Sequence, residues 1–363
     1  MNVWFSGGGT GGHLYPGLAI ARALVRLRPD VKPFFIGAER GIERDVLPRT
    51  EFRHLLLDLH PLYRPKFWNN WKTLRGAARS WGKLDAAAAE RAPKIVVGTG
   101  GYAAGLALLW AWRRDVTAVQ HVGDAIPGIT ARWGARFAAE SYLGFPEAAA
   151  KLPKGRGVSI DTGNPIEPPP QIRPAAAEAR AHWKFPPQAK VVLVFGGSQG
   201  ARAINQVVAS WVEEGLPNGV CVLWATGKAQ YDAYKHLDRP DARVVPYFET
   251  IADAYAAADI AVVRGGMMGT SELCAWGIPM VIVPLPSAAN DHQQANAEVL
   301  QHAHAAIIAP QQSFKVDSLN GIARGLVMER PDKLKEMADA ARARGRPQAA
   351  AEIAMRIARY LSP

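Results

Sequence analysis

The sequence predicts an α/β protein of two Rossmann-like parallel-sheet domains facing each other across a cleft. Three observations predict it. One kind of glycine-rich loop occurs three times, each after an apolar run and before a helical pattern. Strand-like and helix-like runs alternate along the chain, which is the pattern of parallel sheets with helices on both faces. The first and third loops lie about half a chain apart, and 363 residues suit two cores rather than one.

The first loop, Gly7-Gly8-Gly9-Thr10-Gly11-Gly12-His13, follows Val3-Trp4-Phe5. The second, Gly98-Thr99-Gly100-Gly101-Tyr102, follows Ile95-Val96-Val97, and the third, Gly196-Gly197-Ser198-Gln199-Gly200, follows residues 191–195. A strand, a glycine turn and a helix start aim backbone N–H groups and a positive helix end at an anion. After the first loop, 16–27 reads as a helix with Pro16 near its first turn. Residues 33–37, 94–97 and 117–120 read as further strands of the first sheet. In the second half the strands are 191–195, 220–224, 243–245, 260–263 and 280–283. The proline-dense stretch Gly163-Asn164-Pro165-Ile166-Glu167-Pro168-Pro169-Pro170 stops regular structure and reads as the linker. The expected domains are therefore 1–164 and 165–345, with 346–363 a last helix packing back on the first domain after the break at Gly345-Arg346-Pro347.

Composition narrows the function classes. Hydrophobic content of 48% with 21% charge is that of a globular chain. The two cysteines, Cys221 and Cys274, sit in apolar contexts and read as core residues, not a disulfide framework or metal site. The start of the sequence reads as a first strand rather than a signal peptide. The longest apolar run, 103–112, is far shorter than the ~20 residues that span a bilayer. A net charge of +11 leaves nucleic acid, an anionic membrane and phosphorylated substrates as partners.

None of the loops is a Walker loop, because no Gly-Lys-Ser/Thr follows, and the first is not a clean dinucleotide turn. His13 beside a helix N-terminus is biased toward neutrality and can take a proton from an attacking hydroxyl; the alternative is a histidine that only bonds the loop. In Arg264-Gly265-Gly266-Met267-Met268-Gly269-Thr270-Ser271-Glu272 the glycines admit a ligand closely. Glu272 can accept both hydroxyls of a ribose diol, or is simply an acid in a first helical turn favoured by the dipole. In Asn290-Asp291-His292-Gln293-Gln294-Ala295-Asn296-Ala297 the amides can read sugar hydroxyls, or the segment is a polar helix cap.

Together, residues 8–13, 99–102, 196–202, Ser271-Glu272 and 291–297 resemble the MurG family, N-acetylglucosaminyltransferases of peptidoglycan synthesis, over nearly the whole chain and in order. The resemblance implies the GT-B fold and inverting transfer of N-acetylglucosamine from UDP-N-acetylglucosamine to the C4 hydroxyl of the muramoyl sugar of lipid I, giving lipid II. It implies no cofactor and no metal, and a peripheral enzyme at the cytoplasmic face of the bacterial plasma membrane. It places the donor on the C-terminal domain, at Ser198, Gln199, Phe248, Ile251, Arg264, Met268, Glu272, Gln293 and Gln294, with Asn164 at the end of the first domain also donor-binding. The acceptor falls to Thr10, Gly11, Gly12, Tyr102, His121 and Asp124, with His13 the base.

The chain departs from that family twice. His121-Val122-Gly123-Asp124 stands where the family has His-Glu-Gln-Asn, and Glu167 where it has arginine near the donor phosphates. At an effective dielectric of ~20, a like-charge contact at about 4 Å costs roughly 4 kcal/mol, so either Glu167 points away or donor affinity suffers.

Residues 59–84 contain no acidic residue. Phe67, Trp68, Trp71, Leu74 and Trp81 lie beside a stripe of Lys72, Arg75, Arg79 and Lys83. This reads as a basic amphipathic helix for an anionic membrane surface; the alternative is a helix whose aromatics face the core. Residues 110–114 extend the same patch. No nucleic-acid module is visible. Two other readings share the fold: a related enzyme, such as a UDP-N-acetylglucosamine 2-epimerase or a transferase with a soluble acceptor, and a catalytically weak nucleotide-sugar or membrane-binding homologue.

Overall fold

The structure, a computed structural model, describes residues 1–59, 71–197 and 200–362, with the backbone alone for 71–75. It divides into two compact units: Met1–Glu167 with Gln348–Pro363, and Pro168–Pro347.

The first unit runs β1 (Asn2–Gly7), α1 (Gly11–Leu27), β2 (Lys32–Ala38), α2 (Glu43–Val46), β3 (Arg53–Leu57), α3 (Trp71–Glu90), β4 (Pro93–Gly100), α4 (Gly101–Arg113), β5 (Thr117–Val122), α5 (Ile129–Gly134), β6 (Glu140–Leu143) and β7 (Val158–Asp161). Its seven strands are parallel, in the order β3-β2-β1-β4-β5-β6-β7. The central strands are covered on both faces, so they read as unbroken apolar runs: Phe5 pairs with Phe35 on β2 and with Val97 on β4, and all three are buried.

Helix α1 starts earlier than Pro16. Thr10 is extended (φ −139°, ψ 161°) and its carbonyl accepts the N–H groups of His13 and Leu14, which opens the helix at Gly11. Pro16 therefore lies inside α1, where its missing N–H leaves the Gly12 carbonyl without a helical donor.

The second unit runs α6 (Ala176–His182), β8 (Lys190–Phe195), α7 (Arg202–Glu214), β9 (Val220–Ala225), α8 (Tyr231–Tyr234), β10 (Ala242–Val245), α9 (Ile251–Ala257), β11 (Ile260–Val263), α10 (Met267–Trp276), β12 (Met280–Ile282), α11 (His292–His302), β13 (Ala306–Ile308), α12 (Val316–Gly321) and α13 (Pro331–Arg344). Its six parallel strands are ordered β10-β9-β8-β11-β12-β13. Arg173 caps the C-terminus of α10, donating to the carbonyls of Ala275 and Trp276 while its guanidinium lies over the Trp276 ring.

The chain then returns to the first unit as α14 (Ala349–Arg359). Ile353, Ala354 and Ile357 enter the same core as Val3, Phe5, Leu14 and Leu18. Each buried isoleucine contributes about 1.5–3 kcal/mol relative to exposure. Tyr360 donates to Glu140 on β6, fixing the far end of this helix.

Helix α3 turns Trp81 inward: it is half-buried and packs on the core that holds Trp4, Leu84 and Trp110. Trp81 thus departs from the membrane-facing stripe, because burial against that core removes more apolar area from water than a surface position would. Arg79 is exposed, and Lys83 pairs with Glu39 at 3.3 Å. Phe67 and Trp68, and the side chains of Trp71, Lys72, Leu74 and Arg75, lie outside the described residues.

Candidate active site

In an open parallel sheet, ligands bind beyond the carboxyl ends of the strands, where the strand order reverses. In the first unit that point lies between β1 and β4, and the first two glycine loops follow these strands. The loops interlock through their backbones. Gly8 N–H donates to the Gly100 carbonyl at 3.3 Å, and the Thr99 hydroxyl donates to the His13 carbonyl at 2.7 Å. Gly100 and Gly101 have φ of +102° and +76°. A Cβ at Gly100 would overlap the His13 ring and one at Gly101 the Gly8 carbonyl, so only glycine permits this approach.

His13 is the third residue of α1. Its Nδ1 lies 3.2 Å from the Gly8 carbonyl oxygen and 3.2 Å from Thr10 Oγ1. A carbonyl can only accept, so Nδ1 carries the proton and the lone pair of the neutral ring is on Nε2. The helix N-terminus favours that neutral form. Thr10 is exposed, Gly11 and Gly12 form the first turn of α1, and the Tyr102 ring lies against Gly9. Burial raises the Tyr102 phenol above its usual range, with Glu43 adding to the rise and Arg40 opposing it.

Glu43 is fully buried beneath the first loop. Its Oε1 accepts the N–H groups of Gly9 (2.9 Å) and Ala38 (3.2 Å). Side chains at Gly8 or Gly41 would overlap its carboxylate. The sequence reading missed it. The one signal is an acid closely flanked by Gly37 and Gly41.

His121, at the end of β5, is fully buried, and burial pushes its pKa down to about 4. Its Nε2–H donates to Asn164 Oδ1 at 2.9 Å, and Asn164 donates to the Gly123 carbonyl at 3.1 Å. Asn164, expected with the donor, is thus buried in the first unit as a clasp on the β5 turn. Val122 packs with Leu143 and Ala148, which accounts for an apolar residue there, and Asp124 is half-buried. Glu167 is exposed, and its charge acts on Arg22, more than two turns along α1 from His13.

In the second unit the order reverses between β8 and β11. Ser198 and Gln199 lie outside the described residues. Arg264, just past β11, donates to the carbonyls of Val283 and Pro284, and burial lowers its pKa. Met268 is half-buried in the first turn of α10. Glu272 falls in the second turn of α10, not the first, so the dipole does not account for it. Its Oε2 accepts the Tyr255 hydroxyl at 2.7 Å. The Tyr255 ring lies between Phe195 and Trp276, and burial raises its phenol well above the ordinary value. Tyr255, in the alanine-rich α9, was also missed.

Phe248 is buried edge-on to Trp183, whereas neighbouring Tyr247 is exposed with Lys228 over its ring; Ile251 is half-buried at the start of α9. At the start of α11, Asn290 and Asp291 both have left-handed backbones (φ +54° and +52°), and Asp291 makes no side-chain cap bond. This is strain of the kind found at ligand sites. Gln293 packs against Gly265, and its Oε1 accepts the Leu285 N–H. Gln294 is exposed and donates to Glu298 instead, so the two amides face different sides of the helix. Among the described residues no group of three or more His, Cys, Asp or Glu could hold a metal ion.

Residues 3–143 match the glycosyltransferase family 28 N-terminal domain, and residues 191–353 match the family 28 C-terminal domain. These two matches, laid over two parallel sheets that each carry glycine loops at the switch point, make the chain a glycosyltransferase. A relative from Moorella thermoacetica, named UDP-N-acetylglucosamine–N-acetylmuramyl-(pentapeptide) pyrophosphoryl-undecaprenol N-acetylglucosamine transferase, is 36% identical over 364 residues, covering 96% of each chain. The crystal structure of Acinetobacter baumannii MurG matches with a TM-score of 0.75 and 27% identity over 99% of each chain. The chain belongs to the MurG family. A UDP-N-acetylglucosamine 2-epimerase structure shares the fold alone, with a TM-score of 0.66 at 13% identity over 99% of this chain and 96% of that one.

Proposed function

We propose that this protein transfers N-acetylglucosamine from UDP-N-acetylglucosamine to the C4 hydroxyl of the muramoyl sugar of lipid I, giving lipid II. The observation that carries the reading is His13: its Nδ1–H is committed to a carbonyl, which leaves Nε2 basic beside a helix N-terminus. The C4 hydroxyl gives its proton to Nε2 as its oxygen attacks the anomeric carbon. The bond from that carbon to the diphosphate breaks, its electron pair leaves with UDP, and the centre inverts.

Thr10, Gly11, Gly12 and Tyr102 line the acceptor position, with His121 and Asp124 supporting it from the β5 turn. On the second unit Glu272 takes the ribose hydroxyls, Gln293 the transferred sugar, and the third loop the diphosphate. Arg264, Met268 and the residues around Phe248 and Ile251 shape the nucleotide pocket.

The protein acts peripherally at the cytoplasmic face of the membrane. Among the described residues no helix is long and apolar enough to cross a bilayer. The first unit exposes Trp112, Ile129 and Trp133 among Arg113, Arg132 and Arg136, a basic aromatic surface suited to anionic lipid. The test is UDP release from UDP-N-acetylglucosamine with a lipid I analogue. Release that depends on the acceptor and is lost in His13→Ala is expected. Donor binding without acceptor-dependent release would overturn the reading.

A further inference from the structure

The peptide group between Gly8 and Gly9 is engaged at both ends. Its oxygen accepts the Nδ1–H of His13, and its N–H donates to Glu43 Oε1 at 2.9 Å. A carboxylate, one peptide and an imidazole therefore form a continuous hydrogen-bonded line. Hydrogen bonds in series polarise one another, by perhaps 10–30% per bond. A charge at one end makes the peptide oxygen a stronger acceptor at the other. The arrangement resembles an acid that orients a histidine directly, with a peptide inserted between them.

A merely structural role does not call for a charge here. Holding two N–H groups needs only a neutral acceptor, whereas burying a carboxylate costs several kcal/mol. Glu43 is wholly buried, and its Oε2 has no hydrogen-bond partner among the described residues. Glycines at 8 and 41 clear the space it fills. Tyr102 on α4 lies against Gly9 and feels the charges of Glu43 and of Arg40 just before α2, and His121 on β5 is close enough to His13 for the two to interact. Burial holds the Tyr102 phenol protonated and the His121 imidazole neutral, so neither supplies a negative charge.

We propose that Glu43 is a positioning residue that acts on His13 through the Gly8–Gly9 peptide, fixing its tautomer and supporting the positive charge that the imidazole gains on taking the acceptor's proton. This rests on His13 being the base.

Glu43→Gln keeps the shape and an acceptor oxygen but removes the charge. We expect kcat to fall about tenfold, the KM for UDP-N-acetylglucosamine to stay unchanged, and the acid limb of the pH profile of kcat/KM to move to lower pH. The sign follows because His13 without the counter-charge is a weaker base. Unchanged kcat and an unmoved acid limb, with His13→Ala inactive, would overturn the proposal; an active His13→Ala would instead sink the base reading. Nitrogen-15 spectra of the wild-type protein give a test independent of any variant's folding. The neutral His13 ring should carry its proton on Nδ1, and a proton on Nε2 would refute the relay.

Discussion

His121 is buried completely, and burial, opposed by its bond to Asn164 and aided slightly by His13, pushes its pKa from the ordinary 6.5 down to about 4. In the unfolded chain it titrates near its ordinary value, so below that pH the unfolded state binds a proton that the folded state refuses. A depressed pKa of this kind gives stability that is present above pH 6.5 and lost as the pH falls toward 4. At about 1.4 kcal/mol per pKa unit the full loss is about 3 kcal/mol, and about 2 kcal/mol is gone by pH 5. His121→Gln keeps an amide facing Asn164 and does not titrate. Urea unfolding at pH 7.5 and pH 5, followed through the transition of the first unit, should show the wild type losing about 2 kcal/mol more than the variant. Equal losses would refute the reasoning. A histidine that stays neutral above pH 5 is also no cation for an acceptor diphosphate.

Other outcomes follow from single contacts. Tyr255→Phe removes a hydrogen bond to a carboxylate, and about 1 kcal/mol of it should reach the donor; the KM for UDP-N-acetylglucosamine rises about fivefold with little change in kcat, and an unchanged KM would dissociate Glu272 from the ribose. Gly101→Ala forces a side chain into left-handed backbone, costing about 1–2 kcal/mol, and against the Gly8 carbonyl. Turnover should fall more than tenfold while calorimetry finds UDP binding intact. Ile353→Ala should destabilise the first unit by about 3 kcal/mol, read from its thermal or urea transition. Replacing Trp133 and Arg132 together should weaken binding to anionic vesicles, measured by co-sedimentation, and leave hydrolysis-independent donor binding unchanged.

The sheets were legible because a strand covered on both faces is a run of apolar residues, as Val191–Phe195 shows, and the glycines mark its end. Strands β3, β6, β7 and β13 were not anticipated. β3, β7 and β13 are edge strands of partial burial that admit residues such as Arg53, His54 and Ser159, and β6, though largely buried, is a four-residue strand that opens on the polar Glu140 and Ser141. His13 could be found because its chemistry stands next to its loop in sequence. Glu43 and Tyr255 could not, since each matters through a partner 34 or 17 residues away. The helical face that separates Gln293 from Gln294 was likewise hidden, because both amides carry the same chemistry and only α11 orients them.

The return of α14 to the first unit has a consequence for how the chain is made. Val3, Phe5 and Leu18 share their core with Ile353 and Ile357, which leave the ribosome only after the whole of 168–347. The N-terminal unit therefore carries an open apolar groove throughout synthesis of the C-terminal one, and its core closes last although its sheet is made first. Cutting the gene at the linker yields a first half that lacks part of its own interior.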